Sequence, residues 1–239
     1  MHFKGINQYG DLGLMLDFGS KSSKSISQEV NSICSMIIDL DLQALNTTPS
    51  FNKIVISFSS EKKRDNAQIQ IEQKLTIFNA RESKKIIKQW KIPVCYEDDY
   101  ALDLELIQKI HQLSKEEVIA RHSQITYYTY YIGFMPGFPY LGDIDPSLVT
   151  PRLKAPRIQI PARSVGIAKE HTCIYPKVSP GGWNIIGQVP FDIFCLDHPQ
   201  TSLFLPGDEI EFTPISKGEF EKIQNKNFLF DELIKEFSE

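Results

Sequence analysis

Apolar positions divide this chain into two textures. Between residues 20 and 132 they recur at helix and strand periods with no glycine, and only Pro49 and Pro93 interrupt them. Between 133 and 190 they fall into short runs among seven glycines and nine prolines. Glycine reaches positive φ freely and proline fixes φ near −65°, so the first stretch predicts helices and the second predicts short strands joined by tight turns. Alternation predicts strands at 3–6 and 12–18 around a turn at Tyr9-Gly10-Asp11. A helix capped by Ser25 or Ser27 should then bury Val30, Ile33, Cys34, Ile37 and Leu40. The run 52–58 reads as a buried strand, and a second helix opening at Asp65 should turn Ile69, Leu75 and Phe78 inward. The pattern suggests a small α/β domain of ferredoxin-like type over residues 1–90.

Further on, 92–96 reads as a strand and 102–113 as a helix, and Ser114 with Glu117 forms a capping-box pattern for another helix. The aromatic run 126–134 alternates as a strand, with more strands expected at 159–161, 165–168, 184–188, 192–196 and 209–213. Pro206-Gly207 predicts a type II turn. Short strands at this spacing imply a closed barrel or sandwich. An amphipathic helical tail from 217 should pack Phe220, Ile223, Leu229, Leu233, Ile234 and Phe237.

Composition adds exclusions. A formal net charge of −4 argues against a nucleic-acid binder. No apolar run is long enough for a membrane helix, and the N-terminus lacks a signal-peptide pattern, so a cytoplasmic setting is expected. Cys34, Cys95, Cys173 and Cys195 are scattered without metal-ligand spacing and read as reduced thiols. Phosphate-loop, dinucleotide, zinc-hydrolase and nucleophile-elbow motifs are missing from the sequence.

Three segments could carry chemistry. Residues 133–142 hold Phe134, Pro136, Gly137, Phe138 and Tyr140, either a rigid ligand or partner loop or simply a packed corner. Between Pro146 and Lys169 lie Arg152, Lys154, Arg157, Arg163 and Lys169 with no acidic residue, which suits an anion site or a solvated loop. From Tyr175, the run Ser179-Pro180-Gly181-Gly182-Trp183 could aim amide N–H groups at an oxyanion beside a flat indole wall, or close a hairpin over a core tryptophan. His171 suits a polar contact, whereas His122 suits a cap or core role. Asp143 and Asp145 could face a cation or solvent.

In order, GFMPGFPYLG (133–142), PRLKAPR (151–157), PARSVGIA (161–168), IYP (174–176) and SPGGWNIIG (179–187) resemble the family of 5-oxoprolinase B subunits, also called PxpB or KipI and known too as allophanate hydrolase subunit 1. The resemblance implies an α+β chain whose residues 91–239 form a cyclophilin-like β-barrel with a C-terminal helix. It implies a heteromer with C-type (PxpC or KipA-like) and A-type subunits, using ATP with Mg to open 5-oxo-L-proline to L-glutamate. Arg152 and Arg157 would then hold carboxylate or phosphate, Ser179, Gly181 and Gly182 would cradle an oxyanion, and Tyr175 and Trp183 would shape the pocket. Family alternatives are inhibition of a sensor histidine kinase and a carboxyltransferase module of a urea-processing enzyme. The chain departs from the family's usual glycine at Arg163, from Gln-Thr-Gly at His171-Thr172-Cys173, and from Gly-Arg-Thr at Gly187-Gln188-Val189. Arg163 is expected either to replace the charge absent at Gln188 or to block the pocket.

Overall fold

The computed structural model describes residues 2–78 and 87–239. Two compact units, 1–86 and 87–239, are each held by their own core. In the first, β1 (Gly5–Tyr9) and β2 (Gly13–Asp17) form a hairpin, followed by α1 (Lys24–Asp39), β3 (Asn46–Pro49), β4 (Lys53–Ser57) and α2 (Glu61–Ile77). The antiparallel sheet runs β1-β2-β4-β3. The sequence pattern does not predict β3, because its polar NTTP run carries no apolar alternation; pairing with β4 makes it a strand.

Both helices start earlier than their patterns suggest. Ser23 and Ser60, both in extended conformation, accept bonds from the N–H groups of Ile26 and Lys63. The inward stripe of α2 is Arg64, Ala67 and Ile71, with Leu75 and Phe78 partly buried, while Ile69 faces solvent. The stripe follows helical spacing from Arg64, which bonds the Asp11 carbonyl and Asp65, so a phase set by apolar residues alone misplaces Ile69.

The second unit is built on a closed seven-strand barrel in the order β10-β7-β6-β13-β5-β12-β9. Its strands are β5 (Gln89–Cys95), β6 (Thr126–Ile132), β7 (Pro139–Gly142), β9 (Ser164–Ala168), β10 (His171–Ile174), β12 (Asn184–Gln188) and β13 (Glu209–Ile215). A separate two-stranded sheet pairs β8 (Arg157–Ile160) with β11 (Ser179–Gly181). α3 (Leu104–His111) and α4 (Lys115–Ser123) fall between β5 and β6, and α5 (Lys217–Asn225) and α6 (Phe230–Phe237) follow β13. The capping boxes at Ser114/Glu117 and Ser216/Glu219 both form. Leu205 O accepts from Asp208 N across Pro206-Gly207, with Gly207 at φ +102°, as a type II turn requires. No strand forms at 192–196, where a single Phe194–Ser202 bridge stands instead. The tail packs through Phe220 and Leu233, while Leu229 is exposed at the start of α6. No described helix is long and apolar enough to cross a membrane.

His122 sits fully buried in this core, stacked 4.8 Å from Phe212. Thr172 Oγ1 donates to Gly166 O and therefore accepts from His122 Nε2, which leaves Nδ1 to accept from the Tyr96 hydroxyl. Burial lowers the His122 pKa to about 3. Between about pH 6.5 and 3 the unfolded chain binds a proton that the folded chain refuses, so stability must fall as pH falls through that window. The expected slope from this group is about 1.4 kcal/mol per pH unit. Urea unfolding of wild type and His122→Gln from pH 7 to 4 should give curves that converge as pH drops; parallel curves would disprove a neutral buried imidazole.

Candidate functional site

The barrel gathers much of what the sequence singled out onto one face. Residues 133–138 form a tight loop closed by Gly133 N to Phe138 O at 3.1 Å. Gly137 is at φ +79°, and a Cβ there would lie 2.8 Å from Phe194, so only glycine fits without strain. The register places Tyr140 of β7 opposite Tyr131 of β6 and Cys173 of β10. Tyr131 and Tyr140 stack at 4.4 Å with a 6° tilt. Phe138 lies 5.0 Å from Tyr175 and 5.9 Å from Trp183, and Tyr140 lies 5.8 Å from Trp183. Ile160, Ala168, Cys173 and Ile185 complete this second core of the unit. Phe134 and Pro136 remain exposed at the loop tip, with Phe134 touching Phe138 edge-on.

The cations do not act as a group. Arg152 is exposed and its guanidinium carbon lies 5.8 Å over the Trp183 ring. No carboxylate among the described residues pairs with it. Arg157 donates to both oxygens of Asp103, at 2.8 and 2.6 Å. Asp103 is buried, and its Oδ2 also accepts from Ile185 N at 2.6 Å. Arg157 is therefore already neutralised by a residue 54 positions upstream that no local pattern flags. Arg163 adopts φ +69°, which explains the glycine usual at that position. Its guanidinium donates to Pro190 O and lies 3.9 Å from Asp192, while Gln188 donates to Ala162 O. The Arg163 backbone N–H also donates to Tyr175 O at 2.6 Å.

Ser179-Pro180-Gly181 is a strand with a bulge, Ser179 opposite Ile160 and Gly181 opposite Arg157. Neither Gly181 nor Gly182 has positive φ, so the segment does not curl into an N–H nest. Glycine at 181 makes room instead: a Cβ there would meet the Tyr175 hydroxyl at 2.5 Å and Ile160 at 2.7 Å. Gly182 O accepts from Leu153 N at 2.7 Å, tying the Arg152 loop to this strand. Ser179 is buried, and its hydroxyl has no hydrogen-bond partner among the described residues. Burial raises the phenol pKa values of Tyr131 and Tyr175 and that of the Cys173 thiol, so all stay protonated at neutral pH.

His171, half-buried, packs edge-on to Tyr130, whose hydroxyl donates to Asp143. Asp145 instead accepts from Ser147 N and Oγ and starts a short 3-10 turn. No group of three His, Cys, Asp or Glu suited to a metal exists among the described residues. Tyr131 and Asp103 are the contributors that sequence reading missed. The strand alternation of 126–132 held the signal for Tyr131, whereas Asp103 looks in the sequence like no more than a residue before a helix. Asp103→Ala should cost about 3 kcal/mol by urea unfolding, since it strands Arg157 and the Ile185 N–H. Asp103→Ala/Arg157→Ala should recover part of that loss; a double variant no more stable than the single would contradict the pairing.

The family described as carboxyltransferase domain, subdomain C and D, matches residues 4–204. A Bacillus subtilis (strain 168) protein, named as the B subunit of 5-oxoprolinase, is 31% identical over 229 residues, covering 90% of this chain and 94% of that one. The crystal structure of TTHA0988 superposes with a TM-score of 0.75 at 27% identity over 85% of this chain, which spans only 40% of TTHA0988. The Kluyveromyces lactis urea carboxylase shares the fold at TM-score 0.71 and 17% identity, over 96% of this chain and 24% of that one. With the ordered motifs and barrel above, these likenesses establish that the chain belongs to the carboxyltransferase subdomain C and D family and, within it, to the family of 5-oxoprolinase B subunits.

Proposed function

We propose that this chain is the B subunit of an ATP-dependent 5-oxoprolinase. It acts with a C-type subunit to phosphorylate 5-oxo-L-proline, and an A-type subunit completes hydrolysis to L-glutamate. The observation that carries the reading is Arg152, exposed and poised on Trp183 without a carboxylate partner among the described residues. A cation resting on an indole is held in place yet keeps its charge for a ligand. Neutral phenols and an indole suit the flat, weakly polar ring of a five-membered lactam, and one guanidinium suits its single carboxylate.

A lactam carbonyl is a poor electrophile. Phosphorylating its oxygen turns that oxygen into a leaving group, and the negative charge that builds up requires fixed donors. A single arginine is too little for a triphosphate, so ATP is shared with the partner subunit, and Mg2+ is carried on the phosphates of the nucleotide. The name of the Bacillus subtilis relative, which makes it one subunit of several, supports this division of labour. The likeness to urea carboxylase leaves a carboxyltransferase role as the second reading. It predicts dependence on biotin or urea in place of 5-oxoproline.

The test is ATP consumption by the chain co-purified with its C-type and A-type partners. It should require 5-oxoproline, and Arg152→Ala should lower kcat/KM for 5-oxoproline about a hundredfold, equivalent to about 2.7 kcal/mol. Arg157→Ala should mainly lower stability. Substrate-independent ATP consumption, or an Arg152→Ala complex with wild-type kcat/KM, would refute the proposal.

A further inference from the structure

Helix α3 is pinned at both ends. Just ahead of it, Asp103 accepts from both terminal nitrogens of Arg157 on β8 and from Ile185 N of β12. In its last turn, His111 Nε2 donates to Thr150 Oγ1 at 2.8 Å, and that hydroxyl donates in turn to Leu148 O. A helix held this way presents its outer face with little freedom left to lose on association.

That outer face is apolar. Leu104 and Ile107 are buried in the barrel core. Beside Ile107 around the helix come Ile110 and Leu106, and Leu102 extends their line into the preceding turn, each four residues from the next. These three are 47%, 39% and 47% exposed for Leu102, Leu106 and Ile110. From Leu106 through Ile110 and Ile107 to Leu104 the apolar arc spans about 160°, wider than the roughly 100° stripe that seats a helix on its own core. One exposed leucine is ordinary, but three in line along a buried stripe form a patch suited to burial against a partner. The other border of the patch carries Glu105 and Lys109, 3.7 Å apart and themselves 88% and 77% exposed.

We propose that this face docks a second copy of this chain, with the two α3 helices packed antiparallel across a two-fold axis at the level of Ile107. The charges on the border select that occupant. A two-fold contact must be self-complementary, so that residue i meets j and j meets i. Glu105 and Lys109 stand two residues to either side of Ile107. Each Glu105 therefore faces Lys109 of the second copy, and two ion pairs form at once. The apolar levels interleave in the same arrangement: the two Leu106 side chains meet near the axis, and Ile110 of one copy enters between Leu102 and Leu106 of the other. A border of one sign would repel its own copy; this one matches it. A helix of just over two turns covers less than the roughly 800 Å² per partner of a standard interface, so the dimer is weak, with a Kd on the order of 10 µM.

The test is sedimentation equilibrium of the full chain from about 1 to about 200 µM, a range that brackets that Kd. Wild type should pass from monomer to dimer across it, and Leu106→Glu should stay monomeric throughout. Glu105→Lys and Lys109→Glu change exposed positions only, which keeps the test independent of folding. Each should weaken the dimer about tenfold, and the double swap should restore the wild-type Kd. A wild-type chain that is monomeric at the highest concentration, a dimer indifferent to Leu106→Glu, or a double swap no tighter than the single variants would each overturn the proposal. So would a chain that is monomeric alone and whose Leu106→Glu variant no longer co-purifies with a C-type subunit, a result that gives the face to that subunit instead.

Discussion

One buried carboxylate ties β8, β12 and the start of α3 together. Asp103 stands just before α3, yet its side chain does not cap that helix. It accepts from Ile185 N of β12 and from both terminal nitrogens of Arg157 on β8, while its own N–H donates to Ile185 O. A carboxylate out of water needs several strong donors, and here three converge on it. The two-stranded sheet of β8 and β11 is thereby fixed to the barrel, and Ile160 and Ser179 take their positions over the aromatic cluster.

That anchoring divides the basic residues by role. Arg157 is structural because Asp103 claims it, and Arg163 bonds Pro190 O from a left-handed backbone position. Of the three arginines, Arg152 is the one left over an aromatic ring. Local excess of positive charge is therefore a poor guide to an anion site; what counts is which guanidinium the fold leaves without a carboxylate. The same reasoning separates the histidines. His122 is locked between Tyr96 and Thr172 in the core, whereas His171 stands half-buried against Tyr130.

Glycine serves here more often as absent volume than as a turn former. Gly142 yields to the Tyr130 ring and Gly181 to the Tyr175 hydroxyl and Ile160, and neither has positive φ. Close approach of aromatic rings to the backbone is what lets Phe138, Tyr140, Tyr175 and Trp183 pack into one cluster from separate segments. Gly137 differs, since positive φ and contact with Phe194 both demand it.

Much of the architecture was legible because it rests on local physics. Capping boxes, the Pro206-Gly207 turn, the stripe of α1 and the aromatic strand β6 all depend on residues within a few positions of one another. The ordered glycine- and proline-rich motifs also marked segments that pack into one aromatic cluster, since spacing and residue type survive in one dimension. Side-chain partnership does not. The bond from Arg157 to Asp103, the strand status of the polar segment Asn46–Pro49, the exposure of Ile69 and the pairing of Ser179 with Ile160 are fixed by residues distant in sequence. The sequence alone thus determined element types, the barrel-bearing half and the motif residues. Only the tertiary structure decided which charges are neutralised and which are left, among the described residues, without a carboxylate partner, because electrostatic pairing and burial depend on distances that chain order does not encode.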